Sequence, residues 1–368
     1  MNRILTFVLF ILIACSIYFL MHYVVFKVLV KNLTLPARWT KGVKLFFLFS
    51  GLSFPAAMFL SRGLKFHLLN HYAFIWLGVI AISFFFSLVS WPVFKIFPGK
   101  SRPAATAALI LISIISAYSL FNGSRLPAVK KINLSLKNLP REMDGFSIVQ
   151  LSDLHIESYK SKKVLAHIVA ATNALKPGLI VITGDLIEGN ILEDSFLVEQ
   201  LRKLKAVHGV LAVTGNHEFF AGIDNFMALG EKTGITILRN RMIKVADVLQ
   251  IVGIDDDEAK RSVHTGLDPE TLLKACDPQK PVILLYHRPS GFDDAVAKGV
   301  DLQLSGHTHA GQIPPMDLLV QLVYKYPAGL YKKKEAYIYT SPGTGYWGPP
   351  MRFLNRAEIT HIVLKSKK

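Results

Sequence analysis

No aspartate or glutamate occurs before Glu142, so all 26 acidic side chains of the 368-residue chain lie in residues 142–368. The first 141 residues carry sixteen of the 42 Lys and Arg, and the later ones carry 26. The formal net charge of +16 therefore belongs to the first part alone. A nucleic-acid-binding domain would need a basic patch on its folded surface. This distribution is instead typical of loops that flank membrane helices, and we expect no nucleic-acid partner.

Four apolar runs lie within this acid-free part, and each is close to the ~20 residues that a helix needs to span the hydrocarbon core. The first run lacks the small-residue cleavage site of a signal peptide, so we interpret it as a retained helix. A soluble helix bundle is the alternative, which the run lengths and the lack of acids disfavour. We expect a four-span transmembrane anchor over residues 1–122 and a linker over 123–141, with apolar runs at about 4–26, 43–61, 72–94 and 104–121.

The basic residues also suggest an orientation. Four spans would put both termini on one side of the membrane. The loops after the first and third runs hold eight basic residues, against three in the N-terminal tail and the middle loop, which contains Arg62 and Lys65. Because cytoplasmic loops carry the excess of Lys and Arg, the second part is expected outside the cytoplasm. The basic residues that follow the fourth run weaken this bias.

In the second part, strand-like apolar runs alternate with helix-like ones. The runs "FSIVQLSD", "LIVITGD", "GVLAVTGNHE", "PVILLYHRP" and "VDLQLSGHTH" each end in Asp, Asn or His just past the last hydrophobic residue. In layered α/β folds, ligands bind at the carboxyl ends of the strands. The pattern therefore predicts that these polar residues meet at one edge of the fold.

The polar residues at the strand ends are of the types that bind transition metals. His307 and His309 alone could be two solvent-facing histidines on a turn, although residues i and i+2 of an extended strand face the same side. Five separate runs with such endings are harder to explain by chance. Oxygen and imidazole ligands in this ratio suit Mn, Fe or Zn, and an acid that bridges two ions suits phosphoester hydrolysis. The candidates are Asp153, His155, Asp185, Asn216, His217, His287, His307 and His309.

The motifs "DLH", "GDL", "GNHE", "YH" and "GHTH", in this order, resemble the five motif blocks of calcineurin-like metallophosphoesterases. The flanking text "TGNHEFFAG", "GHTHAGQI" and "GTGYWGPPMRF" is similar to the membrane-anchored bacterial branch of that superfamily. The resemblance covers about residues 145–365. It implies an α/β fold, a four-layer α/β/β/α sandwich over residues 142–368, preceded by the four-helix transmembrane region. It also implies a multi-pass protein of the bacterial inner membrane.

The resemblance assigns two divalent metal ions (Mn, Fe or Zn) to the site. The second ion would share one carboxylate, that of Asp185, with the first. The other implied ligands are Asp153, His155 and His309 for one metal, and Asn216, His287 and His307 for the second.

Two further residues would act on the substrate or beside it. His217 would approach the phosphate and assist the leaving oxygen, while a hydroxide activated by the two ions attacks phosphorus. The next residue is Glu218, where the common pattern has Asp. That acid is expected to orient the neighbouring His217 and raise its pKa, with a geometry changed by the extra methylene.

The expected function is hydrolysis of a phosphoester, with a phosphodiester or pyrophosphate bond favoured, in a phosphorylated small molecule or lipid of the membrane or envelope. The segment "IPPMDLLVQLVYKYPAGLYKKK" (313–334) is either a core-packed helix with a surface turn or an interfacial element beside the bilayer. The alternative function is a catalytically weak, membrane-anchored binding or scaffold module. Metal-dependent turnover would discriminate the two.

Overall fold

The computed structural model describes residues 3–60, 67–157, 162–261 and 268–367. The chain forms two compact units. The helical unit comprises Met1–Ser124, Gln312–Asp317 and Gly348–Leu354, and the sheet unit comprises Arg125–Gly311, Leu318–Trp347 and Asn355–Lys368. The middle loop with Arg62 and Lys65, which entered the expected orientation, lies outside the described residues.

Four long helices form most of the helical unit: α1 (Arg3–Val24), α2 (Ala37–Leu60), α3 (His67–Ile96) and α4 (Ser101–Ser124). Helical turns over Val25–Leu33 extend α1. The helices share an apolar cluster, and their other faces expose large apolar side chains, an arrangement that suits lipid better than water. Buried examples are Tyr18, Trp76, Ile80 and Ile112, and exposed ones are Leu12, Ile13, Phe49, Ile96 and Phe121.

Among the described residues, three helical segments are long and apolar enough to cross a membrane: Ile11–Leu33, His67–Ile96 and Pro98–Ser124. In the described part of the chain α2 is not among these segments, so three of the four expected spans are found there. This helix begins with basic residues and continues with small polar residues and a proline, all of which lower its hydropathy. They are Arg38, Lys41, Lys44, Ser50, Gly51, Ser53 and Pro55.

Two late segments of the chain complete the helical unit. Ile313 and Met351 belong to its apolar cluster. A Cβ added to Gly123 would lie 2.9 Å from the Cα of Met351, so the glycine permits a close approach. The side chain of Asn122 donates to the carbonyl of Arg352, 230 positions away, at 3.1 Å. The core of the helical unit is therefore built from both ends of the chain.

The sheet unit contains two six-stranded sheets. In the first, β2, β3, β4 and β5 run parallel, β12 pairs antiparallel with β2, and β1 pairs parallel with β12. The strands β2 to β4 are almost wholly buried and rich in Val, Ile and Leu, as expected where both faces of a sheet are covered. The strands are β1 (Ala128–Leu136), β2 (Ser147–Leu151), β3 (Leu179–Thr183), β4 (Val210–Val213), β5 (Thr236–Ile237) and β12 (Glu358–Ser366).

The second sheet has a parallel centre and two antiparallel edges. Its order is β10-β11-β9-β8-β7-β6, with β11, β9, β8 and β7 parallel and the outer strands β10 and β6 antiparallel. The strands are β6 (Arg241–Val245), β7 (Leu249–Gly253), β8 (Val282–Leu285), β9 (Leu302–Ser305), β10 (Gly329–Lys333) and β11 (Ala336–Thr340).

The two sheets share one apolar core, to which strands of both contribute. Helices cover the outer face of the first sheet through a second cluster and that of the second sheet through a third. The expected α/β/β/α layering is therefore confirmed. The stretch 123–141, expected to be a linker, contains the strand β1. The helices are α5 (Lys162–Ala174), α6 (Ser195–Arg202), α7 (Asn216–Ala221), α8 (Ile223–Thr233), α9 (Pro269–Lys274), α10 (Phe292–Ala297) and α11 (Met316–Val323).

Candidate dimetal site

The candidate ligands lie directly after the carboxyl ends of parallel strands in both sheets. Asp153 and His155 follow β2, and Asp185 follows β3. Asn216 and His217 open α7 after β4. In the second sheet His287 follows β8, and His307 and His309 follow β9. Because parallel strands end at the same edge, these loops converge, as the strand-end pattern predicts.

Five of these residues adopt a left-handed backbone conformation that side chains other than glycine rarely take. Such a conformation costs on the order of 1–3 kcal/mol per residue and persists only where the surroundings hold it. Hydrogen bonds between the loops supply that restraint: the backbone N–H of His307 donates to the Asp153 carboxylate at 3.0 Å, and that of His155 to the Asp185 carbonyl at 3.0 Å. The φ angles are 53° at Asp153, 48° at His155, 52° at Asp185, 72° at His307 and 50° at His309.

The ligand atoms form overlapping groups whose members lie within 4.8 Å of one another. One group is Asp153, His155 and His309, where the two Nε2 atoms are 3.0 Å apart. A second is Asp185, His287 and His307.

The Asp185 carboxylate lies between the two groups. Its Oδ2 is 3.1 Å from Nε2 of His287 and 3.8 Å from Nε2 of His155. The same carboxylate also groups with His155 and His217. Among the acids of the described residues, Asp185 is therefore the one that groups with histidines of both sides.

The arrangement fits cations for a physical reason. Nδ1 of His287 donates to the Thr183 carbonyl at 2.8 Å, and Nδ1 of His155 faces the Glu188 carboxylate. Each of these rings therefore turns Nε2, an acceptor in the neutral ring, towards other acceptors. The side-chain carbonyl oxygen of Asn216 is buried and has no hydrogen-bond partner among the described residues. Facing acceptors and a buried lone carbonyl are unfavourable unless a cation lies between them.

The charges of the site also favour the binding of cations. Burial opposes charge on His287, but the carboxylates of Asp185 and Asp153 outweigh it and raise its pKa to about 10. Burial and the neighbouring His287 and Arg288 lower the pKa of His307 to about 3. Asp185, although buried, has its pKa held well below the usual range by His287 and His155. The carboxylates thus attract positive charge, which bound divalent ions would supply.

Glu188 was not among the predicted site residues. Its carboxylate contacts Nδ1 of His155 and lies 3.1 Å from Nδ1 of His217. Burial would raise the pKa of Glu188, but the two histidines hold it at about 2. The sequence held one indication of Glu188: it stands three residues after Asp185, on a loop that follows a strand ending in candidate ligands.

Glu218 makes different contacts from those expected. Its buried carboxylate accepts four backbone N–H groups, from Gly215, Asp185, Leu186 and Ile187. Burial raises its pKa to about 7. Glu218 thus ties the loop after β3 to the start of α7. Glu188, and not Glu218 as expected, makes the hydrogen bond to the ring of His217.

His217 lies beside the ligand groups and is partly open to solvent. Its side chain is 12% exposed, and its backbone N–H donates to Oδ1 of Asp185 at 2.9 Å. Its ring packs edge-on against His155 at 4.8 Å between centroids. Burial disfavours its charged form, but hydrogen bonding to Glu188 and the charge of Asp185 raise its pKa.

Comparisons with known proteins agree with this geometry. The profile described as "Calcineurin-like phosphoesterase" matches residues 146–311. A "Transmembrane protein with metallophosphoesterase domain" of Danio rerio is 35% identical over 324 residues, which cover 81% of this chain and 74% of the relative. An "Uncharacterized metallophosphoesterase" of Helicobacter pylori is 31% identical over 360 residues, covering 95% and 96%. One of Campylobacter jejuni is 29% identical and covers 98% and 100%.

A double-sheet sandwich with His and Asp clusters joined through one carboxylate defines a metal-dependent phosphoester hydrolase. The chain belongs to the calcineurin-like metallophosphoesterases, and apolar helices precede its phosphoesterase domain.

Proposed function

We propose that this protein is a membrane-embedded phosphoesterase that hydrolyses a phosphodiester or pyrophosphate bond in a lipid or another membrane-associated substrate. The observation that carries the hydrolytic part is the position of Asp185, within 4 Å of histidines of both ligand groups. The proposed ligands are Asp153, His155 and His309 on one side, and Asn216, His287 and His307 on the other, with Asp185 shared. Two divalent ions, Mn, Fe or Zn, would neutralise phosphate charge and lower the pKa of water there.

The protein's own residues supply the proton transfer in this proposal. Glu188 faces Nδ1 of His217, so Nε2 is the nitrogen left for the substrate. Glu188 favours the charged form of the ring, in which Nε2 carries a proton for the oxygen that leaves phosphorus. The contact of Glu188 with His155 links that proton donor to a metal ligand.

A membrane-associated substrate is supported by α11. Its exposed apolar side chains include Met316, Leu318, Leu319, Leu322 and Val323, the last two 83% and 73% exposed. The helix begins within Gln312–Asp317, which belongs to the helical unit. The residue that follows it, Tyr324, packs edge-on against the ring of His307 at 5.9 Å. An apolar helix of this kind lies at a bilayer interface, and this one leads directly to the site.

We also propose that the protein lies in the inner membrane of a bacterium, since the Helicobacter and Campylobacter relatives match over nearly their full lengths. The expected extracytoplasmic position assumed four spans. With the three segments of the described part as spans, the stretch after Leu33 and the sheet unit share one side, and these two parts hold ten of the sixteen basic residues of the first part. The positive-inside rule then favours a cytoplasmic sheet unit. A thiol reagent that does not cross membranes, applied to intact cells, would label the variant Val207→Cys, at a position that is 81% exposed, only if this assignment is wrong.

The activity is tested with the purified full-length protein, because a fragment without the helices would expose Ile313 and Met351. The substrates are bis(p-nitrophenyl) phosphate and p-nitrophenyl phosphate, with Mn²⁺ added or chelated. Metal-dependent cleavage is expected, faster for the diester. Asp185→Asn should abolish it, while Asp144→Asn, at the opposite ends of the strands, should not. A folded protein that binds two ions and cleaves neither compound nor any lipid phosphoester would support the scaffold alternative.

A further inference from the structure

Two exposed aromatic side chains flank His217. The ring of Phe220 lies 5.5 Å from that of His217 and the ring of Trp347 lies 5.7 Å from it, both edge-on. Phe220 is 67% exposed and Trp347 55% exposed. A single exposed aromatic residue needs no explanation. These two rings pack against the same histidine, and more than half of each is exposed to solvent. Together they form an apolar surface beside His217.

Both rings are held by the elements that carry the site. Phe220 stands three residues after His217 on α7, and such a spacing places side chains side by side on a helix. Trp347 lies on the loop after β11. That loop is pinned to the ligand loop after β2, because Thr344 donates its backbone N–H to the Ser152 carbonyl at 2.7 Å and Gly345 donates to that of Asp153 at 3.0 Å.

Gly345 makes this pinning possible. A Cβ at this position would collide with the Leu154 carbonyl oxygen and come within 2.7 Å of that of Asp153. Only glycine lets the two loops approach so closely. Trp347, two residues further on, is therefore positioned relative to His217 by the backbone.

We propose that Phe220 and Trp347 form an apolar clamp, defined by these two rings, which binds the leaving group of the substrate. The inference rests on the proposed role of His217 in protonating that group and names the chemistry of the group expelled. In the reaction, the oxygen of water bonds to phosphorus, and the bond from phosphorus to the oxygen of the apolar substituent breaks. That departing oxygen takes up a proton from His217, the proton released by the attacking water replaces it, and no oxidation state changes. The expelled product is an apolar alcohol or phenol, and the phosphate stays on the other part.

Chain continuity agrees with an amphiphilic substrate. The residue after Trp347 is Gly348, where the second late segment of the helical unit begins. Half of the clamp is thus attached directly to a segment that belongs with the apolar helices. A substituent bound by the clamp would bury apolar surface of both rings, which favours apolar over polar leaving groups.

The test is a competition within one molecule, phenyl 4-octylphenyl phosphate, whose two leaving groups differ in an alkyl tail and hardly in acidity. Partition into detergent or membrane affects both possible cleavages equally, and the product ratio does not depend on the amount of folded enzyme. The full-length protein is expected to release 4-octylphenol over phenol by about tenfold, which corresponds to ~1.4 kcal/mol. Phe220→Ala and Trp347→Ala should each lower the ratio, and the double variant should bring it to about one.

Phe196→Ala is the matched control, since Phe196 is an exposed aromatic that contacts Lys162; it should leave the ratio unchanged. Trp347→Phe, which keeps a ring, should retain most of the preference. A wild-type ratio near one, a preference for phenol, or a ratio that the double variant does not change would overturn the clamp. So would cleavage of bis(p-nitrophenyl) phosphate without cleavage of the mixed diester. Failure of metal-dependent hydrolysis on every substrate would instead overturn the proposed function.

Discussion

His155 and His287 lie in different ligand groups, and the protein orients their rings by different means. His287 is fully buried and donates Nδ1–H to a backbone carbonyl, that of Thr183 at the end of β3. His155 is oriented by a side chain, that of Glu188, which is 18% exposed and also contacts His217. A backbone acceptor cannot be altered by substitution, whereas a carboxylate can. The half of the site around His155 is therefore the adjustable one, and its adjustment is linked to the residue proposed to donate a proton.

Asp185→Asn should have the largest effect because both halves share this carboxylate. The amide loses the negative charge and one acceptor oxygen, and a loss of several kcal/mol corresponds to about a thousandfold or more in kcat/KM. The metal content of the protein, measured by mass spectrometry, should fall because both halves of the site lose metal together. Retention of one full equivalent of metal with one half intact would show that Asp185 is not shared.

Gly306→Ala should be next, since it disturbs the contact between the loop after β9 and that after β2. The added Cβ would collide with the Ser152 hydroxyl and the Asp153 carboxylate. Overpacking of this kind costs about 1–3 kcal/mol, and the displaced carboxylate should lower metal affinity and activity about a hundredfold. Titration with Mn²⁺ measures the metal affinity. Gly189→Ala, where an added Cβ meets nothing within 4 Å, is the control; equal affinities in the two variants would contradict the prediction.

Glu188→Gln directly tests the half of the site around His155, which we describe as adjustable. Loss of a carboxylate behind a metal-binding histidine typically costs 10–100-fold in affinity or activity. Because Glu188 also raises the pKa of His217, the fall of kcat with rising pH, as His217 loses its proton, should begin at lower pH in the variant. Glu199→Gln, an exposed acid paired with Arg202, serves as the matched control. An unchanged pH profile would mean that Glu188 orients His155 only.

Glu218→Gln should affect stability more than chemistry. The amide nitrogen cannot accept, so two of the four backbone N–H groups lose their acceptor. At about 1–3 kcal/mol for each buried unsatisfied group, the melting temperature should fall by several degrees, with kcat within about tenfold of wild type. Calorimetry on the sample measures the loss of stability, and kinetics on the same sample measure the change in kcat. A large loss of kcat without loss of stability would restore the role in orienting His217.

The convergence of the candidate ligands could be predicted because it follows from a local rule. Each stands just past an apolar run, and parallel strands bring such positions to one edge. Glu188 does not obey the rule, since it lies beyond the strand end on a loop whose course depends on Glu218 and α7. Which of two acids faces His217 is decided by backbone geometry that no local pattern contains.

The layering could also be predicted from alternating strands and helices, but β1 could not be found in this way. Its run "AVKKINLSL" is short and basic and follows the last apolar helix. Its pairing partner is β12, at the other end of the chain. A fourth span was expected because α2 is long and largely apolar. Its polar and basic residues lower its hydropathy, and α2 is not among the segments that qualify in the described part of the chain.

The two late segments of the helical unit have a consequence for biosynthesis. The apolar helices leave the ribosome first, but Ile313 and Met351, which belong to their cluster, are translated only near the end of the chain. During most of translation the bundle lacks part of its interior, and the sheet unit emerges while the bundle is still open. The helical unit is therefore the first to be started, and it is completed only shortly before β12 completes the sheet unit.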